Sequence, residues 1–235
     1  MKQLYFIANW KSYKTTDEAI AWLHGISNFQ FPISNEKEII VCPSFTLLPA
    51  MHAYIKEHNL PIKLGVQDIS SFGEGSYTGA VNVKQAVEFV THAIVGHSER
   101  RKYFHETDED VLLKLKLLIE GNITPILCIS DMAQMDYYLA NGEFIKENAD
   151  KIIFVYEPPG AISGGGAFKK VGVEEANENA SEISKKIGKK VTTAYGGSVN
   201  TENAAALCAQ ENIDGGLIGQ ASLDPELFTQ IIKNS

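Results

Sequence analysis

The sequence predicts an α/β protein, a closed (β/α)8 barrel of eight parallel strands. Eight short apolar runs recur along the 235 residues, and segments with helical spacing of apolar positions separate them. No linker, low-complexity run or block of like charge interrupts the alternation. Strands that alternate with helices imply parallel pairing, and eight such units in a chain of this size favour closure over an open sheet. Residues 1–235 are therefore read as one domain. No G-x-G-x-x-G follows the first strand, which counts against a dinucleotide-binding fold.

The first strand is Leu4 to Ala8, and a helix capped by Thr15 or Thr16 follows, with Ile20, Leu23 and Ile26 on its apolar face. The second strand, Ile39 to Cys42, stops at Pro43, and a short helix runs around Met51 and Ile55. The third is Ile62 to Val66. The polar stretch 70–79 after it is long for a connection and holds three glycines, so it has a task beyond joining elements. Val83, Ala86, Val87 and Val90 form the next apolar stripe, before the fourth strand, Ala93 to Val95. Thr107 with Asp110 reads as a capping box for an apolar helix through Leu112, Leu115, Leu118 and Ile119 that ends at Gly121. The fifth strand is Pro125 to Ile129, followed by a helical region from Met132 to about Ala149. The sixth is Ile152 to Val155, leading to Glu157 and two prolines. Ala176, Ala180, Ile183 and Ile187 give a helix stopped by Gly188. The seventh strand is Val191 to Ala194, and the helical segment after it includes Ala204 to Leu207. The eighth strand, Gly216 to Ile218, precedes a helix capped by Asp224, with Pro225 in its first turn.

Composition narrows the function classes. Hydrophobic content of 44% and charged content of 21% suit an ordinary globular protein. A net charge of −8 argues against nucleic acid and anionic membrane as partners, but not against a small anion in a locally positive pocket. Cys42, Cys128 and Cys208 have no metal-ligand spacing and read as buried, reduced thiols. The apolar run near the N-terminus is too short for a signal sequence, and no stretch reaches membrane-spanning length. A cytoplasmic protein is expected.

In a barrel of this type the chemistry sits at the C-terminal rim of the strands. The residues delivered there are Asn9 and Lys11 from the first strand, His97 from the fourth, Glu157 from the sixth, Ser198 from the seventh and Gly219 from the eighth. Each has an alternative reading alone. Lys11 is equally a solvated lysine, His97 a turn histidine, Glu157 a capping carboxylate, and Glu99 with Arg100 and Arg101 a structural ion-pair cluster. Their joint arrival at one rim is harder to read that way. Gly196-Gly197-Ser198 and the glycines around 215–219 end the last two strands. Glycine lets backbone N–H groups approach a phosphate, and a following helix N-terminus adds partial positive charge.

Ala-Asn-Trp-Lys at 8–11, Gly-His-Ser-Glu-Arg-Arg at 96–101, Tyr-Glu-Pro at 156–158 and Tyr-Gly-Gly-Ser-Val at 195–199 resemble the triosephosphate isomerase family, in the family's order. Gly-Val-Gln-Asp at 65–68, Tyr-Thr-Gly at 77–79 and Leu-Ile-Gly-Gln-Ala-Ser-Leu at 217–223 fit as well. The resemblance implies interconversion of dihydroxyacetone phosphate and D-glyceraldehyde 3-phosphate through an enediolate, in glycolysis and gluconeogenesis, with no metal or organic cofactor. It implies Glu157 as the base, His97 as a neutral electrophile and Lys11 as the positive charge. It gives Asn9, Ser163, Ser198, Gly219 and Gln220 contacts to substrate, and Ser98 and Glu99 supporting places. The family is itself the standard example of such pKa tuning. A homodimer is implied too, with Thr78 docked near the partner's site.

The chain departs from the family in the lid. The usual tryptophan, threonine and lysine are absent from 158–166, and Ser163 replaces a phosphate-contacting glycine. Gln220 likewise replaces the second glycine of the eighth loop. The glycines at 160 and 164–166 predict a lid that orders at greater entropic cost. Two other readings compete. Another phosphate-binding barrel, such as a Schiff-base aldolase or an indole-glycerol-phosphate synthase, is one; an aldolase wants its lysine within a strand, and Lys11 lies beyond one. A catalytically dead scaffold is the other, and it would have lost Lys11, His97 or Glu157.

Overall fold

The computed structural model describes residues 2–27, 36–158 and 172–235. Among these, eight parallel strands close into a barrel in chain order. They are β1 (Leu4–Asn9), β2 (Lys37–Cys42), β3 (Ile62–Val66), β4 (His92–Val95), β5 (Thr124–Ile129), β6 (Ile153–Tyr156), β7 (Thr193–Tyr195) and β8 (Gly215–Ile218). Each coincides with one predicted apolar run, with ends shifted by at most two residues. Closure is a register in which Ile7 of β1 stands opposite Ile40 of β2 and Leu217 of β8. Tyr5 pairs with Gly215 at this seam. Gly215 has φ 130°, and a Cβ there would lie 1.9 Å from the Tyr5 oxygen, so only glycine lets the last strand meet the first.

Period-two alternation splits the apolar residues into two cores. Ile7, Ile40, Cys42, Ile94, Ile126, Cys128, Ile153, Val155, Ala194 and Leu217 fill the lumen. Their neighbours along the strands, among them Phe6, Val41, Val95, Leu127 and Phe154, face outward to the helices. Thr15 caps the helix Thr16–Ser27 through reciprocal bonds with Glu18, and the Thr107–Asp110 capping box forms as expected. The predicted helical region 132–149 divides into Met132–Asn141, the single turn Phe144–Glu147 and a 3-10 turn, Ala149–Lys151. Gly142 separates the first two pieces. No described helix is long and apolar enough to cross a membrane.

Two expectations about helices need correction. The helix at Val83 lasts only to Ala86; Val90 is buried, but Val87 caps the helix and is 47% exposed. Residues 87–89 form a turn leading into β4, so Val87 falls past the helix end and faces solvent. The segment after His97, read only as a strand end, begins a helix, Ser98–Phe104.

The helix Asp108–Glu120 carries a charge inside its apolar face. Lys114 is buried, its Nζ 2.7 Å from Asp68 Oδ1 and hydrogen-bonded to buried Glu106. Arg100 reaches Asp68 Oδ2 at 2.8 Å. Burial pushes the Asp68 carboxyl above its usual range, against the pull of Lys114 and Arg100. Lys114→Met removes the buried cation that Asp68 and Glu106 share and leaves Arg100 as the remaining charge beside both. It should cost about 3–5 kcal/mol in urea unfolding; a loss below about 1 kcal/mol would mean that the cluster is screened like a surface pair.

Candidate active site at the barrel mouth

Alternation fixes which side chains end at the mouth. Ile7 points into the lumen, so Asn9 does too, whereas Trp10 points outward. Trp10 is fully buried, edge-on to Trp22 with ring centroids 5.0 Å apart, which pins the chain just past β1. Lys11 follows in a left-handed conformation, φ 52°, with Nζ 2.5 Å from Glu99 Oε1. In β6, Val155 points inward and Tyr156 outward, so Glu157 enters the mouth.

β4 needs a different device. Ile94 faces the lumen and Val95 the helices, so unbroken alternation would turn His97 away from the mouth. Gly96 adopts φ 72° and breaks the period. Arg101 clamps this turn by donating from Nε to the Gly96 oxygen at 2.8 Å, and is itself held by Asp108 and the Tyr138 hydroxyl. His97 caps the helix Ser98–Phe104, its Nδ1 accepting the Glu99 N–H at 3.2 Å. An Nδ1 that accepts carries no proton, so the ring proton sits on Nε2.

Glu157 is 1% exposed. Its Oε2 accepts the Ser98 N–H at 3.0 Å. Its Oε1 lies 3.1 Å from His97 Nε2 but off the N–H direction, and has no hydrogen-bond partner. Burial pushes the carboxyl above the usual glutamate range, and His97 and the Ser98 N–H only partly offset it. Gly196 makes room for this side chain, since a Cβ there would sit 2.8 Å from Glu157 Cγ and 2.6 Å from Val155 Cγ1. A buried carboxylate with one open oxygen, beside an N–H donor, is suited to taking a proton from carbon while charge develops on an adjacent oxygen.

A cavity of about 740 Å³ opens over the rim. Asn9, Lys11, His97, Ser198, Gly219 and Gln220 all line it, together with Gly196 and Gly197. Glu157 lies behind His97 rather than on the cavity wall. Ser98 and Glu99 stand beside these two, on the helix His97 caps. Thr78 is elsewhere, exposed on the arm 70–79 and lining a separate cleft of about 260 Å³. Ser163 and the altered segment 159–166 lie outside the described residues. The sequence reading missed Arg101 and Trp10 as supports. Both sat inside quoted motifs, but nothing in those motifs shows which way they point.

The family model described as triosephosphate isomerase matches residues 4–235. A triosephosphate isomerase of Trichodesmium erythraeum is 36% identical over 99% of both chains. One of Dictyoglomus turgidum is 35% identical over the full length of both, and one of Fusobacterium nucleatum 35% over 99% of both. The chain belongs to the triosephosphate isomerase family. Membership agrees with a fold whose strand ends bring together the family's motifs at 8–11, 96–101, 156–158 and 195–199. The tautomer argued for this family member is open to direct test. Nitrogen-15 NMR near neutral pH should show His97 with a protonated Nε2 and an unprotonated Nδ1; the reverse assignment would contradict the hydrogen bond from Glu99.

Proposed function

We propose that this protein interconverts dihydroxyacetone phosphate and D-glyceraldehyde 3-phosphate, without a cofactor, by moving one proton between adjacent carbons. The observation that carries this reading is the pairing of buried Glu157 with His97 Nε2 at 3.1 Å, in a chain of this family. Glu157 takes the proton from the carbon beside the carbonyl. The His97 Nε2–H donates to the oxygen on which charge builds, and the Lys11 ammonium stabilises the resulting enediolate. Glu157 then returns the proton to the neighbouring carbon, while the hydroxyl proton passes from one substrate oxygen to the other by way of His97 Nε2. The family is itself the standard example of a glutamate base with a neutral histidine. Asn9 hydrogen-bonds the substrate. Backbone N–H groups near Ser198, Gly219 and Gln220 receive the phosphate, and Ser163 is assigned to the same group from its motif position. Glu99 steadies Lys11 at 2.5 Å, and the Ser98 N–H steadies Glu157.

Other readings are less well supported. A Schiff-base aldolase needs a nucleophilic amine, and Lys11 Nζ is instead ion-paired. A scaffold has no use for a buried carboxylate with an unpartnered oxygen. A cytoplasmic location suits a central metabolic isomerase. Pure protein should turn over D-glyceraldehyde 3-phosphate with nothing added, and Glu157→Gln should fold but lose several orders of magnitude in kcat. A variant within about tenfold of the parent would remove Glu157 as the base.

We further propose a homodimer. Phe72 and Tyr77 stack on each other with ring centroids 4.4 Å apart on the arm 70–79, and both are about half exposed. Phe45 and Phe104 lie close by, around a groove of about 320 Å³, and Phe104 is 66% exposed. Aromatic surface concentrated on a projecting arm and an adjacent groove suits a self-complementary interface, with Thr78 close to the partner's mouth. Sedimentation should show a dimer at micromolar concentration, and deletion of residues 72–77 should give monomers of low activity. A monomeric parent would overturn the assignment.

A further inference from the structure

The conformation of Lys11 requires an account that the residues proposed for the chemistry do not supply. Its φ of 52° lies in the left-handed region, where a side chain strains the backbone unless the surroundings impose it. Its N–H is held by Asn9 Oδ1 at 3.1 Å. Its carbonyl is held from a different strand. Gln67, just past β3, donates from Nε2 to the Lys11 oxygen at 2.8 Å and to the Cys42 oxygen at 2.9 Å.

The orientation of this amide is not ambiguous. Both facing atoms are carbonyl oxygens, so only the NH2 end can meet them. The position also follows from the fold. Gly65 of β3 faces inward, so tightly that a Cβ there would lie 2.6 Å from Cys42 Sγ, and alternation places Gln67 inward again at the rim. The Cys42 oxygen also accepts the Trp10 N–H at 3.2 Å. One side-chain amide thus ties the ends of β2 and β3 to the residue that carries the cation.

We propose that Gln67 is a positioning residue for Lys11: its two donors hold the left-handed turn that delivers the ammonium to the cavity. Gln67 acts through Lys11 and is assigned no contact with substrate. Without these donors the Lys11 backbone relaxes toward an ordinary region of φ, and Nζ leaves the place set by Glu99. The proposal rests on the isomerase reading above.

A double-mutant cycle between Gln67→Met and Lys11→Met tests it, read by the affinity of 2-phosphoglycolate and by kcat/KM. In the parent background, Gln67→Met should weaken binding and lower kcat/KM by about tenfold. In the Lys11→Met background the same substitution should change either quantity by less than about twofold, because the group it positions has gone. If Gln67→Met yields no folded protein, Gln67→Asn, which keeps the amide but withdraws it by one methylene, takes its place in the same cycle. Equal losses in both backgrounds would mean that Gln67 serves packing or assembly, and would overturn the proposal. Undiminished affinity in the single variant would overturn it as well. A parent inactive on triose phosphate would instead overturn the isomerase reading, so the two failures are distinguishable.

Discussion

Hydrogen bonding of β1 to β8 is the constraint from which the site follows. Helical crossovers make every strand run in the same direction, and pairing of the first strand with the last brings all their ends to one closed rim. Inward positions of one strand then converge on those of all the others, whatever their separation in sequence. Asn9, Glu157, Gly196 and Gly219 need no long-range recognition to meet; each is the next inward position after a lumen residue. The seam itself depends on Gly215, where backbone passes backbone with no space for a side chain.

The rim gives position but not aim, and three local devices supply aim. Gly96 turns His97 inward, with Arg101 clamping the turn. Trp10 anchors the exit of β1, and Lys11 is left-handed between two side-chain hydrogen bonds. Gly196 leaves the volume that Glu157 fills. The electrostatics follow the same division. Among the described residues an acidic chain keeps one lysine at the mouth, and Glu99 holds that lysine in place while partly neutralising it. An incoming anion must therefore compete with Glu99 for the ammonium.

The strands were legible because each is a short apolar run bounded by proline, glycine or polar residues, and because burial on both faces makes the run continuous. The residues at the strand ends were legible for the same reason. What escaped was whatever depends on dihedral angles or on side chains from distant elements. His97 reads as a strand-end residue, but its direction is set by a positive φ at Gly96 that no periodicity reports. The helix Ser98–Phe104 escaped because histidine is an unusual cap and no apolar stripe marks so short a segment. The burial of Lys114 escaped because its partners, Asp68 and Glu106, come from other segments. Val87 misled in the opposite sense: it fits a helical stripe, but the helix stops before that stripe can use it. The lid and Ser163 lie outside the described residues, so their reading still rests on motif position alone.

The filling of the lumen has a consequence for reactivity. Cys42 and Cys128 lie within the barrel below the mouth, and burial holds both thiols far above the usual range, in Cys128 with the Glu157 charge adding to the effect. A thiol that cannot ionise is a poor nucleophile and a poor ligand for soft metals. Cys208, away from the lumen, is also raised by burial. A reagent that enters the cavity therefore finds no ionised thiol at these two lumen positions. The packing that closes the barrel thus also shields the sulfur beneath the mouth from covalent labels.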